Sequence, residues 1–178
     1  VRQIARQLSA AVAGAARHST LHEQQMLLLG QIAARQNAGL ERVVTLADAE
    51  FRVFSQNGED GIIDWLVGLA PGIPERFIEF GVESYTESNT RFLLRNRNWR
   101  GMVIDGSAEN IDRIRADEIS WQHDLTAVAS FITAENIESL IADAGFAGEL
   151  GILSVDIDGN DYWVWQAIGN ASPWLVIA

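Results

Sequence analysis

The sequence contains no cysteine and no lysine, and only three of its 178 residues are proline. The absence of cysteine excludes a disulfide framework and a thiolate zinc site. No secretory segment and no apolar run of membrane-spanning length is found, so we expect a soluble cytoplasmic protein. Basic residues are also few: 13 stand against 24 acidic ones, for a formal net charge of -11. Such a field repels phosphate backbones and anionic headgroups, which argues against nucleic acid and membrane surfaces as partners.

Hydrophobic residues make up 48% of the chain, enough for a real core, and their spacing divides the sequence into two parts. Residues 1–50 have helical periodicity without proline, with Gly30 and Asn37–Gly39 as candidate interruptions. We expect an N-terminal helical segment that forms a hairpin or a short coiled coil. Packing on the following domain and self-association both remain open for these helices.

Residues 51–178 show short apolar runs that alternate with helical patterns. The predicted strands cover residues 76–80, 101–105, 120–123, 151–156 and 174–178. This alternation is typical of an α/β, Rossmann-like domain whose mostly parallel sheet has helices on both faces. Because the last run reaches Ala178 with no cap or polar tail, we expect the domain to be incomplete at its C-terminus.

The turn after the first predicted strand carries acids instead of the glycines of a dinucleotide site. The pattern G-x-G-x-x-G is absent, and Glu79, Glu83 and Glu87 would repel a diphosphate. The same carboxylates favour a ligand with a sulfonium and an ammonium group, as in S-adenosylmethionine. Gly81 permits close approach of the backbone to such a ligand. For Glu83 and Glu87, a plain solvent-facing position in the turn is an equal alternative.

Acids also follow the second and third predicted strands. Asp105 lies 24 positions beyond Gly81, near the spacing at which an acid reaches the ribose hydroxyls in nucleoside-binding folds. Asp124 follows the third run, where an adenine amino group would lie. The pattern predicts a nucleoside site without identifying the nucleoside.

Four polar residues crowd the end of the fourth predicted strand: Asp156, Asp158, Asn160 and Asp161. Oxygen ligands of this kind suit a hard divalent cation such as magnesium, so Asp156 and Asp158 are candidate metal ligands. Asp156 is also the candidate catalytic residue, because a carboxylate there can deprotonate or orient an acceptor hydroxyl. In the alternative, Asp158 and Asn160 cap the next helix and Asp156 only binds backbone amides.

Three motifs stand in a recognisable order: Phe54–Gly61 (FSQNGEDG), Glu79–Glu83 with Glu87–Thr90 (EFGVE, ESNT), and Ser154–Tyr162 (SVDIDGNDY). Together they resemble the FkbM-like methyltransferases, class I S-adenosylmethionine-dependent enzymes often linked to O-methylation in polysaccharide or natural-product pathways. The resemblance covers about residues 51–178. In the first motif we expect Glu59 and Asp60 to cap the following helix, since acids favour a helix N-terminus.

The resemblance implies a set of cofactor-binding residues: Glu79, Gly81, Glu83, Asn89, Asp105, Gly106, Ser107 and Asp124. Within this set, the first three border the methionine part, Asp105 and Ser107 the ribose, and Asp124 the adenine, while Asp156 faces the methyl group. Tyr85 departs from the family, because many such enzymes keep a further glycine in this turn. The acidic residue and asparagine that usually follow the fifth strand have no counterpart in these 178 residues.

The sequence therefore predicts an S-adenosylmethionine-dependent methyltransferase, acting on a hydroxyl group of a small-molecule or saccharide acceptor. Two alternatives remain open at this stage. One is a non-catalytic Rossmann-like module for assembly or partner recruitment. The other is a metal-dependent enzyme that binds a nucleotide or nucleotide sugar.

Overall fold

The computed structural model describes the backbone of residues 2–40, 43–157 and 159–178, and the side chains of these ranges from residue 20 onward. The described helices are α1 (Arg2–Asn37), α2 (Glu59–Gly68), α3 (Arg91–Arg97), α4 (Ala108–Ala116), α5 (Ile119–Gln122), α6 (Ile137–Asp143) and α7 (Asp161–Gln166), with a 3-10 turn at Leu46–Ala49. The strands are β1 (Arg76–Phe80), β2 (Arg100–Asp105), β3 (Leu125–Ala129), β4 (Gly148–Ser154) and β5 (Ala171–Ile177).

All five strands are parallel and lie in the order β3-β2-β1-β4-β5. The chain starts the sheet at its centre, adds two strands on one side, and then crosses back to add β4 and β5 on the other. The Rossmann-like α/β fold predicted from the alternating pattern is thus confirmed. The strand order reverses between β1 and β4, and ligands of such sheets bind outside the carboxyl ends of the strands at this point.

Apolar side chains pack against both faces of the sheet. Phe77 contributes to one buried cluster and its neighbour Ile78 to the other, because successive side chains of a strand point to opposite faces. Residues of α2, α3, α4 and α5 complete the first cluster, and residues of α6 and α7 complete the second. Two packed layers of helices therefore hold the sheet and fix the loops at its carboxyl edge.

The N-terminal segment is one helix, and the predicted helical hairpin is wrong. α1 passes through Gly30 without interruption and ends at Asn37, where the predicted Asn37–Gly39 break begins. Packing explains why position 30 of the helix is a glycine, because an added Cβ there would lie 2.3 Å from Val53 and 2.9 Å from Phe92. None of the described helices is long and apolar enough to cross a membrane.

α1 packs on the α/β domain through charged and apolar contacts. Glu23 of α1 pairs with Arg91 and Arg95 of α3, at 2.8 and 2.6 Å. Ala34 joins a small buried cluster with Phe92 of α3. The interpretation in which the N-terminal segment packs on the following domain is therefore correct, and self-association through α1 stays a prediction.

The third strand lies later in the sequence than predicted. Residues 119–122 form α5, whose start is favoured because Asp117 accepts a hydrogen bond from the Ile119 amide at 2.9 Å. β3 follows it at the edge of the sheet and is only half-buried. Its sequence, LTAVA, is apolar apart from Thr126, so the prediction placed the strand one segment too early in a region where the apolar run itself marks β3.

Candidate functional site

A cleft of about 580 Å³ opens at the carboxyl ends of β1, β2, β3 and β4. It lies at the reversal of strand order, and its volume falls within the range of about 300–1,000 Å³ common for small-molecule sites. The lining residues come from the segment before α2, from α2 itself and from the ends of these four strands and the loops that follow them: Gln56, Glu59, Glu79, Phe80, Gly81, Val82, Glu83, Thr86, Glu87, Ser88, Asn89, Ile104, Asp105, Gly106, Ser130, Phe131, Ile132, Asp156, Ile157 and Asn160.

Glu79 lines the cleft but is only 5% exposed, and its carboxylate organises the loop that follows β1. Its oxygens accept hydrogen bonds from the Ser88 hydroxyl at 2.6 Å, the Asn89 amide at 2.9 Å, and the amide and hydroxyl of Thr90. Burial raises the pKa of Glu79, although these hydrogen bonds oppose the shift. Its oxygens are thus already engaged by the loop, so Glu79 holds the wall of the cleft more than it offers charge to a ligand.

Asn89 connects this loop to the neighbouring strand on the other side of the reversal point. Its side-chain amide donates a hydrogen bond to the Ser154 hydroxyl at the end of β4, at 3.2 Å. The loop after β1 is therefore tied to β1 and β4, the two strands on either side of the reversal point.

Tyr85 has a φ of 59°, in the left-handed region that glycine adopts most readily. The position thus has the conformation expected where related turns carry glycine. The Tyr85 side chain is fully buried in the core and is not among the lining residues, so it does not narrow the cleft. Its hydroxyl lies 3.0 Å from that of Thr90, and burial raises the pKa of Tyr85 further above its usual range.

Gly81 makes room for the chain itself. Its φ is 72°, and an added Cβ would lie 1.7 Å from the carbonyl oxygen of Asp156. The sequence interpretation assigned the close approach at Gly81 to a ligand, whereas the structure assigns it to the loop after β4. Gly81 still lines the cleft, and its requirement for glycine comes from this crossing of two loops.

Asp105 ends β2 and joins two loops at the floor of the cleft. One carboxylate oxygen accepts a hydrogen bond from the Glu83 amide at 2.8 Å, and the other from the Ser107 amide at 2.8 Å and the Asn110 side chain at 3.2 Å. An ionised carboxylate has about four acceptor positions, so capacity remains for a ligand hydroxyl. Among its neighbours, Gly106 lines the cleft, whereas Ser107 caps α4 by accepting a bond from the Asn110 amide and is not a lining residue.

Asp124 lies at the opposite end of the sheet from the cleft. It precedes β3, and its carbonyl oxygen accepts a hydrogen bond from the Gly101 amide near the start of β2, at 2.9 Å. Its side chain is 68% exposed and pairs with Arg100 at 3.4 Å. The predicted position of Asp124 beside an adenine group is therefore wrong, because the misplaced third strand put the acid at the carboxyl end instead of the amino end.

The loop after β4 presents Asp156 to the cleft as an exposed side chain. Asp161 shapes this loop by accepting hydrogen bonds from the amides of Ile157 at 2.8 Å and Gly159 at 3.0 Å. The bond from Ile157 is the main cause that lowers the pKa of Asp161. Asn160 precedes α7, but its side chain makes no capping hydrogen bond, so the alternative in which Asn160 caps the next helix is not found.

The structure of the loop after β4 does not test the prediction that Asp156 and Asp158 bind a divalent cation. Asp158 lies outside the described residues, so a shared role with Asp156 stays a prediction. Within the described ranges, no three carboxylate or imidazole side chains are grouped closely enough to hold a metal ion.

The FSQNGEDG motif builds one side of the cleft. The fully buried Asp60 accepts hydrogen bonds through one oxygen from the three consecutive amides of Val53–Ser55, at 2.7, 2.7 and 2.8 Å. Burial raises the pKa of Asp60 against the effect of these bonds. Glu59 lines the cleft and accepts a hydrogen bond from the Asn57 amide at 2.8 Å. Both acids thus hold the segment that leads into α2, whereas the N-cap position itself is Gly58, which makes no side-chain capping bond, so the capping role expected of the two acids is not found.

The cleft is strongly acidic. Six of its lining residues are carboxylates, and no arginine or histidine is among the lining residues that the structure describes: the acids are Glu59, Glu79, Glu83, Glu87, Asp105 and Asp156. One cation adjoins the rim, since Arg52 pairs with Glu87 at 3.4 Å. Glu79 contributes little of this charge because its carboxyl is buried and bound by the loop, and the field of the other five acids favours a ligand with net positive charge.

Several lining residues were missed by sequence reasoning, chiefly Ser130–Ile132 after β3. The misplaced strand concealed them, although an aromatic residue directly after a strand is a usable signal. Phe131 is 75% exposed and lies at the cleft, where an added Cβ on Gly106 would be 3.7 Å from its ring. A second groove, of about 520 Å³, extends from Phe131 to Trp163.

Comparison with known proteins adds no further identification: no family model, curated protein or solved structure matches this chain.

Proposed function

We propose that this chain binds S-adenosylmethionine in the acidic cleft and belongs to the FkbM-like methyltransferases, with O-methylation of a hydroxylated small molecule or saccharide as its reaction. The observation that carries the proposal is the position and charge of the cleft. It opens where strand order reverses, contains Asp105 at the end of β2, and is lined by six carboxylates.

The chemistry of the lining fits the methyl donor better than a dinucleotide. S-adenosylmethionine has a net positive charge because its sulfonium and ammonium groups outweigh its carboxylate, so the acids attract it. A diphosphate would be repelled by the same groups. Asp105 retains acceptor capacity for one ribose hydroxyl, and the exposed ring of Phe131 offers an apolar surface for a base.

The catalytic demand on the protein is small. The donor supplies an activated methyl group, so the protein mainly positions the two reactants. Asp156 faces the cleft without a described hydrogen bond to its side chain, and in this proposal it orients or deprotonates the acceptor hydroxyl.

The first test is calorimetric titration of S-adenosylmethionine and S-adenosylhomocysteine into the wild type and two aspartate variants. Asp105→Ala removes the ribose acceptor, and we expect affinity to fall at least about tenfold, since hydrogen bonds to a charged group contribute about 1.5–3 kcal/mol. Asp124→Ala is the matched control, because it removes the same charge at the opposite end of the sheet and should leave affinity within about twofold.

Asp105 also holds two loops, so circular dichroism melts must show that the variant is folded, and Asp105→Asn provides a milder substitution. No binding of either ligand to folded wild type would overturn the methyl-donor proposal and favour the non-catalytic module. Metal-dependent binding of a nucleotide in its place would favour the third interpretation.

A further inference from the structure

The acidic cleft lacks a described cation for the one negative group of the proposed donor. S-adenosylmethionine carries a carboxylate at its amino-acid end, and six carboxylates line the cleft. A carboxylate placed among like charges is unfavourable unless a cation or several amides meet it. The binding site therefore needs a positive group close to its rim.

Arg52 is fixed at this rim by its backbone surroundings. The residues that follow it, Val53–Ser55, donate three amide hydrogen bonds to the buried Asp60. The carbonyl of Phe54 accepts a hydrogen bond from the Ser88 amide at 3.0 Å, which joins this segment to the loop after β1. The three residues after Arg52 are thus bound to Asp60 of α2 and to the loop after β1, and these bonds set the position of the Arg52 backbone relative to the cleft.

The Arg52 side chain, in contrast, is held weakly. Its only described ion pair is with Glu87, at 3.4 Å, and the two side chains are 59% and 55% exposed. Exposed pairs of this kind contribute little to stability because solvent screens them. The guanidinium can therefore exchange Glu87 for another carboxylate at small cost, and its planar fork is suited to bind one through two hydrogen bonds.

We propose that Arg52 binds the carboxylate of the methionine part of the donor, and that Glu87 holds the guanidinium at the rim until the ligand arrives. The inference rests on the proposed function and adds to it Arg52, a residue that lies outside the three sequence motifs. It makes Arg52 a specificity residue, because a ligand without the carboxylate gains nothing from it.

The test compares S-adenosylmethionine with decarboxylated S-adenosylmethionine, which lacks only the carboxylate, by calorimetry on the full chain. In Arg52→Ala the affinity for S-adenosylmethionine should fall about tenfold, whereas that for the decarboxylated ligand should stay equal or rise, because a repelling cation is removed. Arg113→Ala is the control: Arg113 is 61% exposed and pairs with Glu109 on α4, away from the cleft lining. It should change neither affinity by more than about twofold.

The outcomes separate the two proposals. If wild type binds S-adenosylmethionine and Arg52→Ala weakens both ligands equally or neither, the role of Arg52 is overturned and the proposed function stands. If folded wild type binds neither ligand, the proposed function fails, and the Arg52 inference fails with it. If Arg52→Ala loses the preference for S-adenosylmethionine over the decarboxylated ligand and Arg113→Ala keeps it, the result supports both the proposed function and the role of Arg52.

Discussion

At the scale of single residues, the acids in and around this site fall into two groups that the sequence alone does not distinguish. Glu79 and Asp161 engage both carboxylate oxygens with amides or hydroxyls of the chain, and Asp60 engages one. Asp156 lies exposed in the cleft. Glu79 and Asp156 both lie at the carboxyl ends of parallel strands, where sequence position does not distinguish an acid that holds a loop from one that is exposed in the cleft.

Gly81 allows a sharp test of the crossing between the loops after β1 and β4. Gly81→Ala should lower the free energy of unfolding by about 3 kcal/mol, since it combines a left-handed φ of 72° with an overlap at 1.7 Å from the Asp156 carbonyl. Gly72→Ala is the control, because Gly72 has a φ of 84° but nothing within 4 Å of an added Cβ. It should cost only about 1 kcal/mol. Urea denaturation measures both, and equal losses would show that the loops do not cross as described.

The candidate site was partly predictable at this scale. The position of Asp105 in the cleft followed from its spacing after Gly81, because both residues end neighbouring parallel strands. Ser107 was misjudged, since its helix-capping role and a ribose contact call for the same residue type. Arg52 was not considered, because its place at the cleft depends on long-range contacts that spacing does not reveal.

At the scale of elements, the strands in the middle of the sheet were easier to predict than β3, one of its two edge strands. β1 was predicted with its observed bounds because Phe77, Ile78 and Phe80 supply large apolar side chains to both faces of a buried strand. β3 was missed because the strand was assigned to the aromatic segment before it, whereas ISWQ forms α5 and the more apolar LTAVA forms the strand. The sheet order places β3 at an edge and leaves this apolar segment only half-buried.

The place of α1 on the domain can be tested through Gly30. In a free helix, Gly30→Ala would stabilise by about 1 kcal/mol, because alanine has the higher helix propensity. In this structure the added Cβ would lie 2.3 Å from Val53 and 2.9 Å from Phe92, so we expect a net loss of about 1 kcal/mol.

Gly39→Ala is the control for that experiment, since Gly39 lies beyond α1 and an added Cβ would lie 3.5 Å from its nearest neighbour. It should change stability by less than about 0.5 kcal/mol. A more stable Gly30→Ala protein in thermal and urea denaturation would mean that α1 does not pack on α3 at this position.

At the scale of the whole molecule, charge is the feature that most separates this site from other Rossmann-like sites. The formal net charge is -11, and the cleft concentrates six carboxylates at one edge of the sheet. A fold that places helix N-termini around a cleft often binds phosphates, yet here the acids oppose that use. The fold alone therefore does not identify the ligand, and the proposed methyl donor rests on the charge of the cleft.

This field predicts a difference between the methyl donor and its product. S-adenosylmethionine and S-adenosylhomocysteine differ by one methyl group and one positive charge, so the acidic cleft should bind the donor more tightly at low ionic strength. Raising NaCl from about 20 to about 300 mM shortens the screening length to well below 10 Å. We expect the affinity for the donor to fall about three- to fivefold, and that for the product by less than about twofold.

Calorimetry of both ligands over this salt range measures the two slopes in one protein, so each ligand serves as the control for the other. Parallel slopes would mean that the sulfonium does not approach the carboxylates, and the charge argument for the donor would then fail even if both ligands bind. A steeper slope for the donor would place its sulfonium within reach of the acids. Repeating the titration with Asp156→Asn would then test one of them directly, because removing a carboxylate near the sulfonium should flatten the donor's slope and leave that of the product unchanged.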